Sequence, residues 1–179
     1  MRGRILVVDD QRANVEMLAG VLTARGYEVL SATDGESALE QVRRHNPDIV
    51  VSDILMPQMD GYELCRRLRS DPATTLLPVI LVTSLDALQE RVNGIDAGAD
   101  DFLSKPVNWE ELFARVRSLL RIKRLQDEVK AWNAKLEERV AEQVGHIEQL
   151  GRLKRFFSRA VAEAIVAGGE EMLAPHRRE

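Results

Sequence analysis

Five polar residues stand where short apolar runs end. Asp9 and Asp10 follow "RILVV" (residues 4–8), Asp53 follows "DIVVS" (48–52), Thr83 closes "PVILVT" (78–83), and Lys105 follows "DFLS" (101–104) just ahead of Pro106. If folding gathers these ends, one crevice holds three carboxylates, a hydroxyl and an ammonium. Crowded carboxylates repel and raise one another's pKa, so such a cluster requires a compensating cation. An oxygen-only site with few carboxylates and room for water suits Mg2+, a hard ion that keeps part of its hydration shell and bridges to phosphate. Beside an ion that also holds a phosphoryl donor, a carboxylate becomes a nucleophile. Lys105 would pair with the phosphoryl oxygens as a point charge, and Thr83 would hydrogen-bond one of them. The chemistry suggested is phosphoryl transfer to an aspartate.

The elements that must position these residues alternate along the chain. Strand-like runs at 4–8, 27–32, 48–52, 78–83 and 101–104 are separated by segments of helical spacing at 12–25, 36–45, 61–70 and 87–97. In the first of these, Val15, Leu18, Val21 and Leu22 share one helical face, and Gly26 follows as a stop. The strands are apolar on both faces, as parallel strands covered by helices must be. The expected fold is a five-stranded, parallel, doubly wound α/β sheet. In such sheets ligands sit at the carboxyl ends of the strands, where the strand order reverses.

Bulk properties set the remaining bounds. With 179 residues, 45% of them apolar and 30% charged, the chain can bury one good core and carry an appendage. A single cysteine, Cys65, excludes an intramolecular disulfide and fits a reducing compartment. No apolar run approaches the roughly 18 residues a membrane helix needs, and the N-terminus lacks a signal-peptide stretch, so a cytoplasmic protein is expected. Residues 1–120 carry 13 basic and 19 acidic side chains, which argues against a nucleic-acid backbone as partner. Residues 121–179 carry 12 and 10, scattered in helical pattern, and read as a solvated helix face.

"ILVVDD", "VVSDILMPQMDG", "VILVTS" and "GADDFLSKP", in this order and at these separations, resemble the receiver domain of two-component response regulators, a flavodoxin-like fold. The resemblance covers about residues 3–122 and marks a receiver domain over 1–122. It implies that Asp53 is the phosphoacceptor, that Asp9, Asp10 and Asp53 hold Mg2+ with the backbone carbonyl of Leu55, and that Thr83 and Lys105 contact the phosphoryl group. It further implies a switch made of Thr83 and Phe102, a cis bond between Lys105 and Pro106, and a histidine kinase or phosphotransfer protein as donor. Phosphorylation would reshape the face formed by segment 87–97, the fifth strand and the helix after it. There Arg91, Asp96, Asp101, Glu111 and Arg115 offer charges of both signs for a symmetric contact. Leu55 and Leu85, two places beyond Asp53 and Thr83, are apolar and cannot orient an attacking water, which predicts a slowly hydrolysed phosphate.

Each residue also has a plain structural reading. Asp53 could cap the following loop, Asp9 or Asp10 could cap the helix ahead of "QRANVEML", Lys105 could be a surface charge, and Phe102 could be core. Two other function classes compete. A phosphatase of the haloacid-dehalogenase type would need an acid where Leu55 stands, and a nucleotide-binding domain would need a glycine-rich or phosphate-loop motif that does not occur.

From residue 108 no proline or strong breaker interrupts the helical pattern through 155, apart from Gly145 and Gly151, so the helix after the fifth strand should run far beyond the receiver. Ile122, Leu125, Val129, Trp132 and Leu136 step by 3, 4, 3 and 4, the seam of a coiled coil, and predict a parallel homodimer over 123–155. The seam then moves to Val140, Val144, Ile147 and Leu150; the two consecutive steps of 4 form a stutter that relaxes the supercoil. His146 lacks the flanking pattern of a sensor-kinase phosphoacceptor and reads as a surface residue. Residues 156–179 are expected to form a short amphipathic helix, with Phe156, Phe157, Val161 and Ile165 on one face, and then a linker. "LKRFFSRAVAEAIVAGGEEMLAPHRRE" resembles the stretch ahead of the catalytic domain of bacterial class III nucleotide cyclases. That resemblance implies a regulatory fragment whose output domain, a cyclase, is absent from this chain; the alternative reading is a stand-alone regulator whose amphipathic tail docks a partner protein.

Overall fold

A computed structural model describes residues 3–84 and 94–171. Five strands are present: β1 Arg4–Val8, β2 Glu28–Ala32, β3 Ile49–Asp53, β4 Val79–Thr83 and β5 Asp101–Ser104. The helices are α1 Arg12–Ala24, α2 Gly35–His45, α3 Gly61–Ser70 and α4 Trp109–Glu171. All strand pairs are parallel, in the order β2-β1-β3-β4-β5. The expected doubly wound, flavodoxin-like architecture is therefore present. Leu85, Arg91 and most of the helical segment predicted at 87–97 lie outside the described residues, as does the tail 172–179.

The sheet is apolar on both faces because each face has its own core. Along β3, Ile49 and Val51 enter a cluster with Val15, Leu18 and Leu22 of α1 and Leu112, Val116 and Leu119 of α4. Val50 enters the other, with Leu39 and Val42 of α2 and Leu64 and Leu68 of α3. This period-two alternation turns a continuous apolar run into two packed layers.

Local signals fix the helix ends. Gly26, at φ 88°, stops the chain after α1 in a conformation that favours glycine. Asp34 caps α2 by accepting the Ser37 N–H at 2.8 Å, and Asp60 caps α3 by accepting the Glu63 N–H at 2.7 Å. Ahead of α4, Asn108 Oδ1 accepts the N–H groups of Glu110 and Glu111 at 3.0 and 3.2 Å.

The chain divides into two compact units, Met1–Asp127 and Glu128–Glu179. Helix α4 is 63 residues long and passes through Gly145 and Gly151 without a break. A helical glycine costs about 1 kcal/mol relative to alanine, but neither of these takes the left-handed conformation that ends a helix. Residues 156–171 continue α4. Among the described residues no helix is long and apolar enough to cross a membrane.

Candidate functional site

The strand order reverses between β1 and β3, because the chain leaves β1 for β2 on one side and returns to β3 on the other. Asp9 and Asp53 stand at the carboxyl ends of these two strands. Both are buried, 1% and 6% exposed, while Asp10 is open to solvent. Carboxylate oxygens of Asp9, Asp10 and Asp53 lie within 4.8 Å of one another. An octahedral ion with ~2.1 Å bonds spans ~3.0 Å between adjacent ligands and ~4.2 Å between opposite ones, so small rotations of these side chains would bring the oxygen donors around Mg2+.

Lys105 reaches across from the end of β5. Its Nζ lies 3.0 Å from Asp53 Oδ2 and 3.2 Å from Asp9 Oδ2. The Lys105–Pro106 peptide that follows β5 is cis. Burial pushes the Asp53 carboxyl pKa up; the hydrogen bond and charge of Lys105 oppose this, and Asp9 adds to it. For Lys105, burial alone would lower the pKa, but Asp53 and then Asp9 outweigh it and raise the ammonium above its ordinary value. The site thus holds a charged lysine against a carboxylate whose ionised form is costly, an arrangement that favours arrival of a cation or a phosphoryl group.

Supporting contacts explain the local sequence. Asp9 accepts the Gln11 N–H at 2.9 Å through Oδ1, so it also orders the turn into α1. Asn14 Nδ2 donates to both Asp9 oxygens at 3.0 Å. Asp53 Oδ1 accepts the Ile54 N–H at 2.9 Å. Gly61 donates to the Ile54 carbonyl at 2.9 Å, and a Cβ on it would lie 2.5 Å from the Asp53 carbonyl oxygen. Only glycine lets α3 begin this close to the strand end. Asn14 and Gly61 support the site without being marked by helical spacing alone. The pairing of "DG" with a strand-end Asp was the available signal.

Residues 5–117 match the family model of the response regulator receiver domain. The chain belongs to this family. It is 51% identical over 130 residues to the response regulator PleD of Caulobacter vibrioides, an alignment covering 73% of this chain and 29% of that protein. The chain therefore spans less than a third of that relative's length. Among solved structures, the signal receiver domain of a signal transduction histidine kinase from Syntrophus aciditrophicus is 39% identical, with a TM-score of 0.63 over 66% of this chain and 90% of its own. The receiver domain of a sensor histidine kinase from Pseudomonas aeruginosa PAO1 is 28% identical, with a TM-score of 0.62 over 67% and 98%. That domain was solved with a magnesium ion coordinated in its active-site cleft. Receiver domains bind Mg2+ at an acidic pocket and work with histidine kinases or phosphotransfer proteins. This chain carries such a phosphorylation-dependent receiver domain.

The remaining residues of the receiver reading are placed as follows. Thr83 is buried at the end of β4, in register with Ser104 of β5. Leu55 lies in the loop after Asp53 with 57% of its surface exposed. Phe102 is half-buried, packed against the core, and its ring sits so close to Gly94 that a Cβ there would lie 2.3 Å from it. Of the charges expected to face a second subunit, Asp96 is exposed. Arg115, in contrast, pairs within the chain with both Asp101 and Glu111.

Proposed function

We propose that Asp53 is the phosphoacceptor of a signalling switch. The observation that carries this reading is the Lys105 ammonium bridging Asp53 and Asp9 at 3.0 and 3.2 Å on the rim where the strand order reverses. An Asp53 carboxylate oxygen attacks the phosphorus of a kinase phosphohistidine; the P–N bond breaks, and the electron pair leaves with the imidazole. Asp9, Asp10, Asp53 and the backbone carbonyl of Leu55 would hold Mg2+. When bound, the ion neutralises charge on the phosphoryl oxygens. Lys105 pairs with one of those oxygens, Thr83 hydrogen-bonds another, and Phe102 follows Thr83 in reshaping the β4–β5 side of the domain. Cytoplasmic residence fits this partner.

The signal leaves through α4. Ile122, Leu125, Val129, Trp132, Leu136 and Val140 form its dimer seam, and every one is about half exposed or more. A second copy of the chain covers this stripe in a parallel coiled coil that passes the change to an output domain, a nucleotide cyclase by resemblance of its last residues. His146 is an exposed helix residue, in keeping with a surface role.

Acetyl phosphate with Mg2+, applied to the protein and to Asp53→Asn, tests the acceptor role. One stable phosphoryl group per chain, absent from the variant, is expected. Continuous release of phosphate over many turnovers would instead make the protein a hydrolase.

A further inference from the structure

The rim of the sheet opposite the acidic pocket carries a groove of about 570 Å3. Its floor is formed by Gly3, Tyr27 and Leu120, near the starts of β1 and β2 and on α4. Arg117 and Arg121 of α4 line one wall, one helical turn apart. Lys123 also reaches the groove, but it is spent on Asp127, whose oxygens lie 2.5 and 2.6 Å from its Nζ. Asp48, at the far edge, accepts the Arg4 N–H at 2.7 Å.

The two arginines differ from most others in the receiver. Arg4 pairs with Glu28, Arg67 with Glu36 and Glu63, Arg69 with Asp100, and Arg115 with Asp101 and Glu111. Among the described residues neither Arg117 nor Arg121 has such a partner. Like charges one turn apart cost a helix about 0.2–0.5 kcal/mol. Both arginines line a concave site of the volume that small-molecule ligands occupy, with Arg124, Asp48 and Asp127 also in its lining.

We propose that this groove binds a nucleoside di- or triphosphate. Arg117 and Arg121 stand one turn apart on one helix face, their Cβ atoms about 5–6 Å apart, so two guanidinium forks are available to successive phosphate groups where a single small anion needs only one. The Tyr27 ring and Leu120 supply an apolar surface for a base, and the Asp48 carboxylate accepts from a base amino group or a ribose hydroxyl. The site is remote from Asp53 and stands independently of the phosphoacceptor reading.

Calorimetric titration of the full chain with ATP, GTP and inorganic triphosphate tests the proposal. Saturable nucleotide binding is expected, weakened at least about tenfold, or about 1.4 kcal/mol, by Arg117→Ala combined with Arg121→Ala. Arg43→Ala with Arg44→Ala, which removes two arginines from the end of α2, should leave it unchanged, as should Asp53→Asn. No saturable binding by either nucleotide, or equal weakening in both double variants, would overturn the site. Inorganic triphosphate binding as tightly as the nucleotides would overturn the assignment of a base to the groove.

Discussion

Helix α4 carries one apolar stripe, and its two ends meet opposite fates. Leu112, Val116 and Leu119 lie against the sheet, 0%, 0% and 9% exposed. From Ile122 onward the same spacing continues, yet the seam from Ile122 to Leu150 is 46–67% exposed at every step. Burying a large aliphatic side chain stabilises by about 1.5–3 kcal/mol, so the first group anchors the receiver unit while the second group contributes nothing within one chain. Nine such side chains in line constitute an apolar surface on the scale of a standard interface of about 800 Å2 per partner. The two regions teach that one helix can carry a buried core face in one stretch and an exposed apolar stripe, the seam proposed for a second copy, in the next. The change from buried to exposed occurs near residue 120.

A charge placed in the seam breaks the comparison most severely. Leu136→Asp puts a carboxylate into an apolar contact in both copies at once, so the dimer should weaken at least about 100-fold, with two burial contributions lost and two charges facing each other. Sedimentation equilibrium reads the association, and acetyl phosphate uptake at Asp53 should persist. A dimer that survives unchanged would mean that the stripe is not the interface.

A matched pair of truncations sharpens it. Leu112→Ala should cost the receiver about 2–5 kcal/mol in urea unfolding. Leu136→Ala should leave the receiver's unfolding free energy unchanged and lower only the association constant. Within the receiver, Gly61→Ala should cost about 1–3 kcal/mol by overpacking, because its Cβ would lie 2.5 Å from the Asp53 carbonyl oxygen. It should slow phosphoryl uptake as well.

The acidic pocket makes a smaller, pH-dependent contribution. The Asp53 carboxyl binds its proton more tightly when folded than when unfolded, chiefly through burial. Its ionisation therefore removes stability as pH rises from the unfolded value near 3.8 through the raised folded one. In Mg2+-free buffer at neutral pH, Asp53→Asn should melt higher than the parent, and the difference should vanish below pH 3.8. Lys105 has the same sign in a higher window: its folded pKa is also raised, so its contribution is present below its ordinary 10.5 and is lost as pH rises beyond that. A variant that melts lower at neutral pH would mean that the Lys105 contact outweighs burial.

Much of this organisation was legible because the signals were local or periodic. The inner strands β1, β3 and β4 announce themselves by being apolar on both faces, and α3 spans 61–70 as expected because Asp60 caps it and Gly61 opens it. The acidic pocket could be inferred because Asp9, Asp53, Thr83 and Lys105 all end apolar runs, and parallel strands put those ends on one rim. What was hidden depends on approach in space. Nothing in "QRAN" says that Asn14 will hold both oxygens of Asp9. Arg115 looked like an outward charge until the fold placed Asp101 beside it. Gly151 read as a breaker because its helical cost is intrinsic, but no second signal accompanies it and the helix continues.

The subtlest comparison uses cysteine chemistry, which need not alter stability. Cys65 is buried in the receiver, and burial pushes its thiol up to about 11, so at pH 8 it is neither a thiolate nor accessible. A thiol reagent should modify it only after unfolding. Val129→Cys places a second thiol on the seam, where a parallel, in-register dimer sets each residue against its own copy. Disulfides form when Cα atoms are about 4.4–6.8 Å apart, so mild oxidation should link the two chains of this variant rapidly and leave Cys65 reduced. An antiparallel pair brings residue 129 against itself only if that position lies at the centre of the overlap. Leu125→Cys and Leu136→Cys therefore decide the matter. Crosslinking at all three positions requires parallel helices, whereas crosslinking at one alone excludes them.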